Sequence, residues 1–357
     1  MIDDDENDNV EYSLIDIESM SIFEFIDIRS STTNSRPELP SEEFGDFMEL
    51  LTRWNLSDAC GSDILKFARK IGRDDVNLPT SVKQGRQLID QIHVPHISFK
   101  KSPIMTYKEE TYYLNYRPIF DGIKELLSNK DVFDNCTFEF KLLNHEGQRI
   151  YHEQYNCEWW ERVQSSLPSG ANVLSIILYS DATTCDHLGK TSEHPIYLTL
   201  GNIISWRKNK PDAKVLLGYL PQLKAKTISE KRSESFHLAK RAIYQYSLDI
   251  LTRPLLDYKT DGFDLKTDNG VLWCFPFISV MLGDLPENAA VTLTYNSVNC
   301  NYPCQKCLIE NDELNNTILD GHQIVLRTPE NMKDYVNRGI ANQYSLHNMK
   351  NIFWKYL

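Results

Sequence analysis

The sequence lacks a hydrophobic run long enough to cross a membrane. Its longest apolar stretches are Val173–Tyr179 and Phe275–Leu282, whereas a membrane helix needs roughly 20 apolar residues. The first 30 residues are acidic and lack the basic and then apolar pattern of a secretory signal. We therefore expect no membrane partner, and we expect cysteines in a reducing compartment to be free thiols.

Common nucleotide-binding and protease motifs are also missing. The sequence has no GxGxxG fingerprint and no HExxH zinc motif. Gly189-Lys190-Thr191 resembles the end of a phosphate-binding loop, but Thr184 stands where the first glycine of that loop is required. These absences exclude a Walker-type loop, so function has to be sought in other residues.

Negative charge is abundant but confined to the N-terminus. The chain has a formal net charge of -12, and residues 1–46 hold 14 acidic and two basic residues. The remaining 311 residues are balanced, with 36 acidic and 36 basic side chains. This composition predicts a disordered acidic tail over residues 1–41 and a neutral body that is compatible with a nucleic-acid partner.

The next region, residues 42–130, is predicted to be a small helical region. Apolar residues at helical spacing predict helices over 42–72, the second opening at Asp58 or Ser62. Residues 73–105 contain Pro79, Pro95 and Pro103, which favour an irregular connector.

Residues 131–298 alternate between strand-like and helical patterns. The strand-like runs are Val173–Tyr179, Ile196–Leu200, Val215–Leu220 and Val271–Leu282, the last broken by Pro276. A long helix over 232–252 precedes the fourth run, and another begins at Pro286. This order predicts an α/β fold with a mixed sheet and flanking helices, and an RNase H-like sheet is one solution with this order.

Two aspartates follow apolar strands directly. Asp181 comes after Val173–Tyr179, and Asp284 comes after Val271–Leu282. Ligands of open α/β sheets sit at strand ends, and carboxylates from two such ends can hold Mg²⁺ or Mn²⁺ for phosphodiester chemistry. The alternative is that each aspartate only ends a strand or caps a helix.

Three of the eight cysteines are clustered. Cys304 and Cys307 form a CxxC pair, whose spacing lets both thiolates bind one tetrahedral Zn²⁺. Cys300, His322 and His347 are candidates for completing the site. Plain thiols and a redox pair are the alternatives for this cluster.

Two further features have competing interpretations. Trp159 and Trp160 either stack on bases or contribute to a helix that buries one of them. A basic run, Arg207, Lys208, Lys210 and Lys214, either contacts phosphates or forms a solvated loop.

An ordered set of short motifs resembles the Plavaka transposases, a fungal branch of the CACTA-like cut-and-paste DNA transposases. The motifs are Arg149-Ile150-Tyr151-His152-Glu153, Trp159-Trp160, Leu167-Pro168-Ser169-Gly170, Ile176–Thr183, Pro195–Leu198, Gly201-Asn202-Ile203, Leu217–Pro221, Gly283-Asp284-Leu285-Pro286-Glu287, Cys304–Leu308 and Ile352-Phe353-Trp354. The similarity is densest over residues 138–310 and extends from about residue 42 to the end.

The resemblance implies an RNase H-like catalytic core with three metal-binding carboxylates, followed over 299–357 by a zinc-knuckle insertion. By resemblance, Asp181 is the first acid and Asp284 the second, whereas Glu310, Glu313 and Glu330 lie too near the knuckle to be the third. We therefore expect a C-terminally truncated DDE-type transposase, and the missing third acid leaves two alternatives open: an enzyme completed by an external acid, or an inactive relic.

The same resemblance implies DNA as partner, with transposon ends as the target, a homo-oligomer when active, and a nuclear location. Cys60 has no CxxC partner, so the N-terminal zinc finger that the family often carries is missing. The alternatives are a non-catalytic nucleic-acid-binding or protein-binding module derived from a transposase, and an unrelated α/β hydrolase or redox protein.

Overall fold

The structure is a computed structural model that describes residues 13–14, 25–29, 39–54, 56–71, 78–91, 98–185, 192–297, 299–318 and 324–356. These residues form two compact units. One spans Ser30–Ser98, and the other combines Met1–Arg29 with Phe99–Leu357. The boundary predicted at residue 130 thus differs from the division in the structure, where residues 99–130 belong to the larger unit.

The smaller unit is helical throughout its described elements. Its helices are α1 (Glu42–Arg53), α2 (Asp58–Lys70) and α3 (Val82–Gln91). The side chain of Ser57 accepts a hydrogen bond from Cys60 N–H, which caps α2 and starts it at Asp58. The helices enclose a core of Phe44, Phe47, Met48, Leu51, Leu65 and Val82. The helices predicted over 42–72 are confirmed, and α3 lies in the stretch expected to be irregular.

The larger unit contains the strands β1 (Ser13–Leu14), β2 (Phe25–Asp27), β3 (Lys100–Tyr107), β4 (Glu110–Tyr116), β5 (Asn144–His145), β6 (Gln148–Arg149), β7 (Asn172–Ser180), β8 (Thr183–Thr184), β9 (Ser192–Glu193), β10 (Pro195–Leu200), β11 (Val215–Tyr219), β12 (Phe263–Thr267) and β13 (Gly270–Leu282). Its helices are α4 (Ile119–Ser128), α5 (Lys130–Asp134), α6 (Glu158–Ser166), α7 (Ser205–Lys208), α8 (Ile228–Arg232), α9 (Glu234–Thr252), α10 (Leu285–Thr292) and α11 (Pro329–Asn337).

Nine of these strands form one mixed sheet across the described ranges. Their order is β1-β3-β4-β11-β10-β7-β13-β12-β2, while β5 with β6 and β8 with β9 form separate hairpins. Helices α4 and α9 pack against strands of this sheet. The predicted mixed α/β fold with flanking helices is therefore confirmed.

Strand β7 lies at the centre of the sheet. Its residues are buried along almost the whole strand, with Tyr179 exposed, as expected of a continuous apolar run between two neighbours. Strand β10 pairs with it antiparallel, and β13 pairs with it parallel on the other side. The chain reaches β13 through the long helix α9, which begins where Ser233 accepts a hydrogen bond from Phe236 N–H.

Strand β13 runs without a break through Pro276, contrary to the sequence prediction. Pro276 pairs in register with Leu174, and the irregularity comes later, between Ile278 and Val280. Proline removes one backbone donor from the ladder but keeps an extended φ. The surrounding apolar residues therefore continue to pair with β7 on both sides of it.

Two short pieces of the predicted acidic tail belong to the sheet. Strand β1 pairs with β3, and β2 pairs in parallel with β12. Ile26 is buried in the core of the larger unit, so its apolar side chain is used within this chain. At these residues the structure differs from the disordered tail that composition predicted, because one buried apolar residue and a free strand edge outweigh the surrounding acids.

Candidate functional site

The parallel pairing of β7 with β13 places Asp181 and Asp284 at the same end of the sheet. Leu282 is paired with Tyr179, and each aspartate follows its paired residue by two positions. The backbones stay close beyond the last pair, because a Cβ added to Gly283 would lie 3.4 Å from Ser180 O and 2.6 Å from Glu287 Cβ. Glycine at this position leaves room for the Glu287 side chain, and the two aspartates occupy neighbouring strand ends.

The Asp181 carboxylate is partly exposed, and it accepts a hydrogen bond from a residue of the strand that precedes it. Tyr179 donates a hydrogen bond from its hydroxyl to Asp181 Oδ2, with 3.1 Å between the oxygens. Local burial and this hydrogen bond raise the pKa of Tyr179, and the negative charges of Asp181 and Asp284 raise it further. Both carboxylates therefore act on the same phenol, in agreement with their neighbouring positions.

Asp284 is exposed and is the N-cap of α10. Its Oδ1 accepts a hydrogen bond from Glu287 N–H at 2.9 Å, and Pro286 occupies the first turn. The helix-cap interpretation of Asp284 is therefore correct for this contact. The cap uses Oδ1, and a carboxylate has a second oxygen, so a capping role and a ligand role are compatible.

Behind Asp284 lies a buried polar network that the sequence analysis missed. Tyr244 of α9 donates to Glu287 Oε2 at 2.9 Å, and His194 Nε2 lies 3.0 Å from the same oxygen, outside hydrogen-bond geometry. Burial raises the pKa of Tyr244, and the Glu287 carboxylate adds to the effect. The sequence signal nearest to this network is Glu287, three residues after Asp284. That spacing is typical of a helix start and does not predict the contacts with Tyr244 and His194.

The cysteine pair lies downstream of α10. The side chains of Cys304 and Cys307 interact, and Lys306 N–H points to Cys304 Sγ at 3.4 Å. Burial opposes ionisation of Cys304, but the hydrogen bonds from Lys306 and Cys307 outweigh it and lower the pKa of this thiol. The loop is held by Arg327, which donates to the carbonyl oxygens of Tyr302, Cys304 and Tyr344.

Of the candidate third and fourth zinc ligands, the two that the structure describes, Cys300 and His347, form no metal-binding group with this pair. Cys300 donates its thiol to Ser297 O at 2.9 Å. His347 packs on Tyr295, and burial, with Arg241 and His237 nearby, lowers its pKa to about 4. His322 lies outside the described residues. Among the residues that the structure describes, no three His, Cys, Asp or Glu side chains form a group arranged for a metal ion.

A family model identified as Plavaka transposase matches residues 79–357. The chain belongs to the Plavaka transposase family. The match covers the sheet from β3 onward and begins after α1 and α2, which lie outside it. A comparison with curated proteins finds no match.

Several motifs of this Plavaka transposase chain have structural roles. The carboxylate of Glu153, almost completely buried, accepts hydrogen bonds from Ser205 N–H at 2.8 Å and from Ser205 Oγ–H at 2.9 Å. Asn202, fully buried, accepts from Ser175 N–H and donates to Val173 O and Thr137 O. These motifs therefore fix the start of β7 and the loop beside it.

The two open interpretations of the sequence analysis are resolved in part. Trp160 is completely buried, as the core interpretation predicted. Arg207 is also buried and pairs with Asp131 at 2.5 Å and with Asp212 at 2.7 Å. The first residue of the basic run thus forms ion pairs within the chain.

Among the described helices of the transposase chain, none has the length and hydrophobicity that spanning a membrane requires.

Proposed function

We propose that the chain is the catalytic region of a DDE-type DNA transposase, in which Asp181 and Asp284 hold a divalent cation for cleavage and transfer of DNA strands. One observation carries the proposal. The two aspartates follow adjacent parallel strands in register, at neighbouring positions of one sheet end. Family membership supports the reaction class.

The strand order supports an RNase H-like core. The antiparallel strands β7, β10 and β11 are neighbours in the sheet, and in the chain the short β8–β9 hairpin lies between β7 and β10. After α9 the chain forms β12 and then β13, which lies parallel to β7 on the side away from β10. Apart from β8, β9 and β12, this order agrees with the predicted succession of three strands, a helix and a further strand.

The residues at the strand ends are carboxylates, the type of ligand that a hard cation prefers. Mg²⁺ prefers oxygen ligands and keeps several waters, so it is usually held by one or two protein carboxylates. A bound cation of this kind activates water or a hydroxyl and stabilises the leaving oxygen of a phosphodiester. Tyr179 orients Asp181, Glu287 N–H orients Asp284, and the exposure of the pair leaves room for a DNA strand.

The test is metal-dependent nicking of supercoiled plasmid DNA by the full chain with Mg²⁺ or Mn²⁺. We expect Asp181→Asn to lower the nicking rate about 100-fold or more, because several kcal/mol of cation stabilisation depends on its carboxylate. Asp264→Asn, which changes an exposed carboxylate on β12, is the matched control and should nick at the rate of the unchanged chain. Equal nicking by Asp181→Asn would contradict the proposal.

The alternative, a non-catalytic binding module, is favoured by a specific observation. The part of the chain that the structure describes contains no third acidic, histidine or cysteine side chain grouped with the pair as a metal site. This alternative expects no nicking, together with DNA binding that needs no Mg²⁺ and survives Asp181→Asn. The same plasmid, used in a binding assay, separates the two functions.

We further propose that Cys304 and Cys307 supply two thiolates to a structural Zn²⁺. The lowered pKa of Cys304 and the Lys306 N–H beside its sulfur favour the thiolate form, which is the form that binds zinc. Burial and the neighbouring Cys304 raise the pKa of Cys307, so zinc binding at this sulfur would displace a proton. The remaining ligands stay a prediction among Cys300, His322 and His347.

Metal analysis of the purified chain tests the zinc proposal. We expect about one zinc per chain, as in structural sites, and its loss in Cys307→Ser. Cys60→Ser, which changes an exposed cysteine of α2, should retain the metal. Full zinc content in Cys307→Ser would contradict the proposal, and a metal-free chain with a readily oxidised pair would favour the redox interpretation.

The proposed reaction also bears on assembly and location. Joining two transposon ends requires more than one catalytic site, so we propose a homo-oligomer on DNA. Chromosomal DNA is the substrate, so we propose that the chain acts in the nucleus.

A further inference from the structure

A row of tyrosines crosses the face of the sheet that carries Asp181. We call the side chains of Tyr113 on β4, Tyr219 on β11, Tyr197 on β10 and Tyr179 on β7 the tyrosine row. These four strands are consecutive in the sheet. Three of the rings are 38–41% exposed, namely Tyr113, Tyr179 and Tyr219, although an aromatic ring gains most when it is buried.

The strand register shows that the four rings share one face. Tyr197 is paired with Tyr179, and Pro195, two residues before Tyr197, is paired with Tyr219. The register shifts between Ile196 and Tyr197, but the extra residue, Leu217, lies on β11, so the alternation along β10 is kept. Tyr219 is in turn paired with Asn115, two residues after Tyr113. Paired residues, and residues two apart on one strand, point to the same side of a sheet.

Side-chain contacts agree with this register. The rings of Tyr179 and Tyr197 are stacked with an interplanar angle of 29° and 6.4 Å between centroids. Partial burial raises the pKa of Tyr219, and Tyr197 beside it contributes to the effect. The row is therefore continuous from β11 to β7.

The two ends of the row differ in charge. At one end, Lys101 Nζ lies 4.4 Å from the centroid of the Tyr113 ring, and Lys101 is paired with Asn115, on the face of the row. At the other end, the Tyr179 hydroxyl bonds to Asp181. A ligand lying along the row would thus meet Lys101 first, then aromatic faces with the Glu193 carboxylate near Tyr219, and finally the two aspartates.

We propose that the tyrosine row binds the unpaired nucleotides of a DNA strand and leads that strand to Asp181 and Asp284. Bases stack on exposed aromatic rings of a sheet, as in sheet-based single-strand binders, and Lys101 suits a backbone phosphate. That the bound strand leads toward the two aspartates rests on the proposed function. Duplex DNA fits less well, because its base faces are already stacked on one another.

Binding of a fluorescent dT12 oligonucleotide to the full chain in EDTA tests the proposal without catalysis. Stacking of one base predicts that Tyr219→Ala weakens binding about tenfold, and that Tyr219→Phe, which keeps the ring, stays within about twofold. Trp206→Ala removes a still more exposed aromatic from α7 and should leave binding unchanged.

The outcomes separate this proposal from the proposed function. No measurable dT12 binding, or equal binding by Tyr219→Ala, overturns the tyrosine row even if plasmid nicking persists. A tenfold loss in both Tyr219→Ala and Trp206→Ala overturns it as well, because binding would then not be local to the row. Loss in Tyr219→Ala alone supports it even where nicking fails. Tyr219→Phe guards against a folding defect.

Discussion

Asn202→Ala is expected to lower the free energy of unfolding by about 3 kcal/mol. The Asn202 side chain makes three hydrogen bonds, to Ser175 N–H, Val173 O and Thr137 O, from a fully buried position. Alanine removes all three partners at once, and each buried polar group left without one costs roughly 1–3 kcal/mol. Water cannot replace them easily at such a site. Urea unfolding followed by tryptophan fluorescence measures the change.

Asn209→Ala provides the matched control for this prediction. Asn209 is exposed just after α7, and surface substitutions usually change stability by less than about 0.5 kcal/mol. An Asn202→Ala chain as stable as Asn209→Ala would show that this motif does not fix β7. The present account of the motif as a structural clamp would then be wrong.

The elements that the sequence predicted correctly are those with strong periodicity. Strand β7 is a continuous apolar run, and α9 combines helical spacing with Ser233 as its cap. Such signals depend on residues close together in the chain, so they predict the element without knowledge of its tertiary contacts. The same applies to α1 and α2, whose serine caps stand just before their first apolar residues.

The β3–β4 hairpin shows why other elements were missed. Its turn is formed by Lys108 and Glu109, both with positive φ, whereas sequence analysis looks for asparagine or glycine at such positions. The tertiary pairing of β4 with β11 supports a turn that local propensity disfavours. A similar long-range effect draws β2 from an acidic segment into the sheet.

Of the candidate site, only the two aspartates were predictable from the sequence. Strand-end position identified Asp181 and Asp284, because that signal depends on residues next to each other in the chain. The Tyr244, His194 and Glu287 network depends on α9, β10 and α10 meeting in space. The tyrosine row depends on register across four strands. Neither arrangement has a signature in the sequence alone.

Asp284→Asn is expected to keep the fold while removing divalent-cation binding. Asparagine caps a helix about as well as aspartate, so the hydrogen bond from Glu287 N–H can persist and stability should stay within about 0.5 kcal/mol. The amide is neutral, so a ligand that cations prefer is lost. This variant separates the capping role of Asp284 from its proposed role as a ligand.

The matched comparison is Asp284→Ala, which removes the cap as well as the charge. We expect it to lose cation binding to the same extent and to lose about 1 kcal/mol of stability in addition. If Asp284→Asn bound Mn²⁺ as the unchanged chain does, Asp284 would be a helix cap and no more.

The most direct measurement is calorimetric titration of Mn²⁺ into the unchanged chain, Asp181→Asn, Asp284→Asn and the double variant. If both carboxylates hold one ion, each single change should weaken binding at least about tenfold, and the double change should add little, with a coupling of about 1 kcal/mol or more. Unchanged affinity in either single variant, or strictly additive losses, would contradict a shared cation site at the ends of β7 and β13.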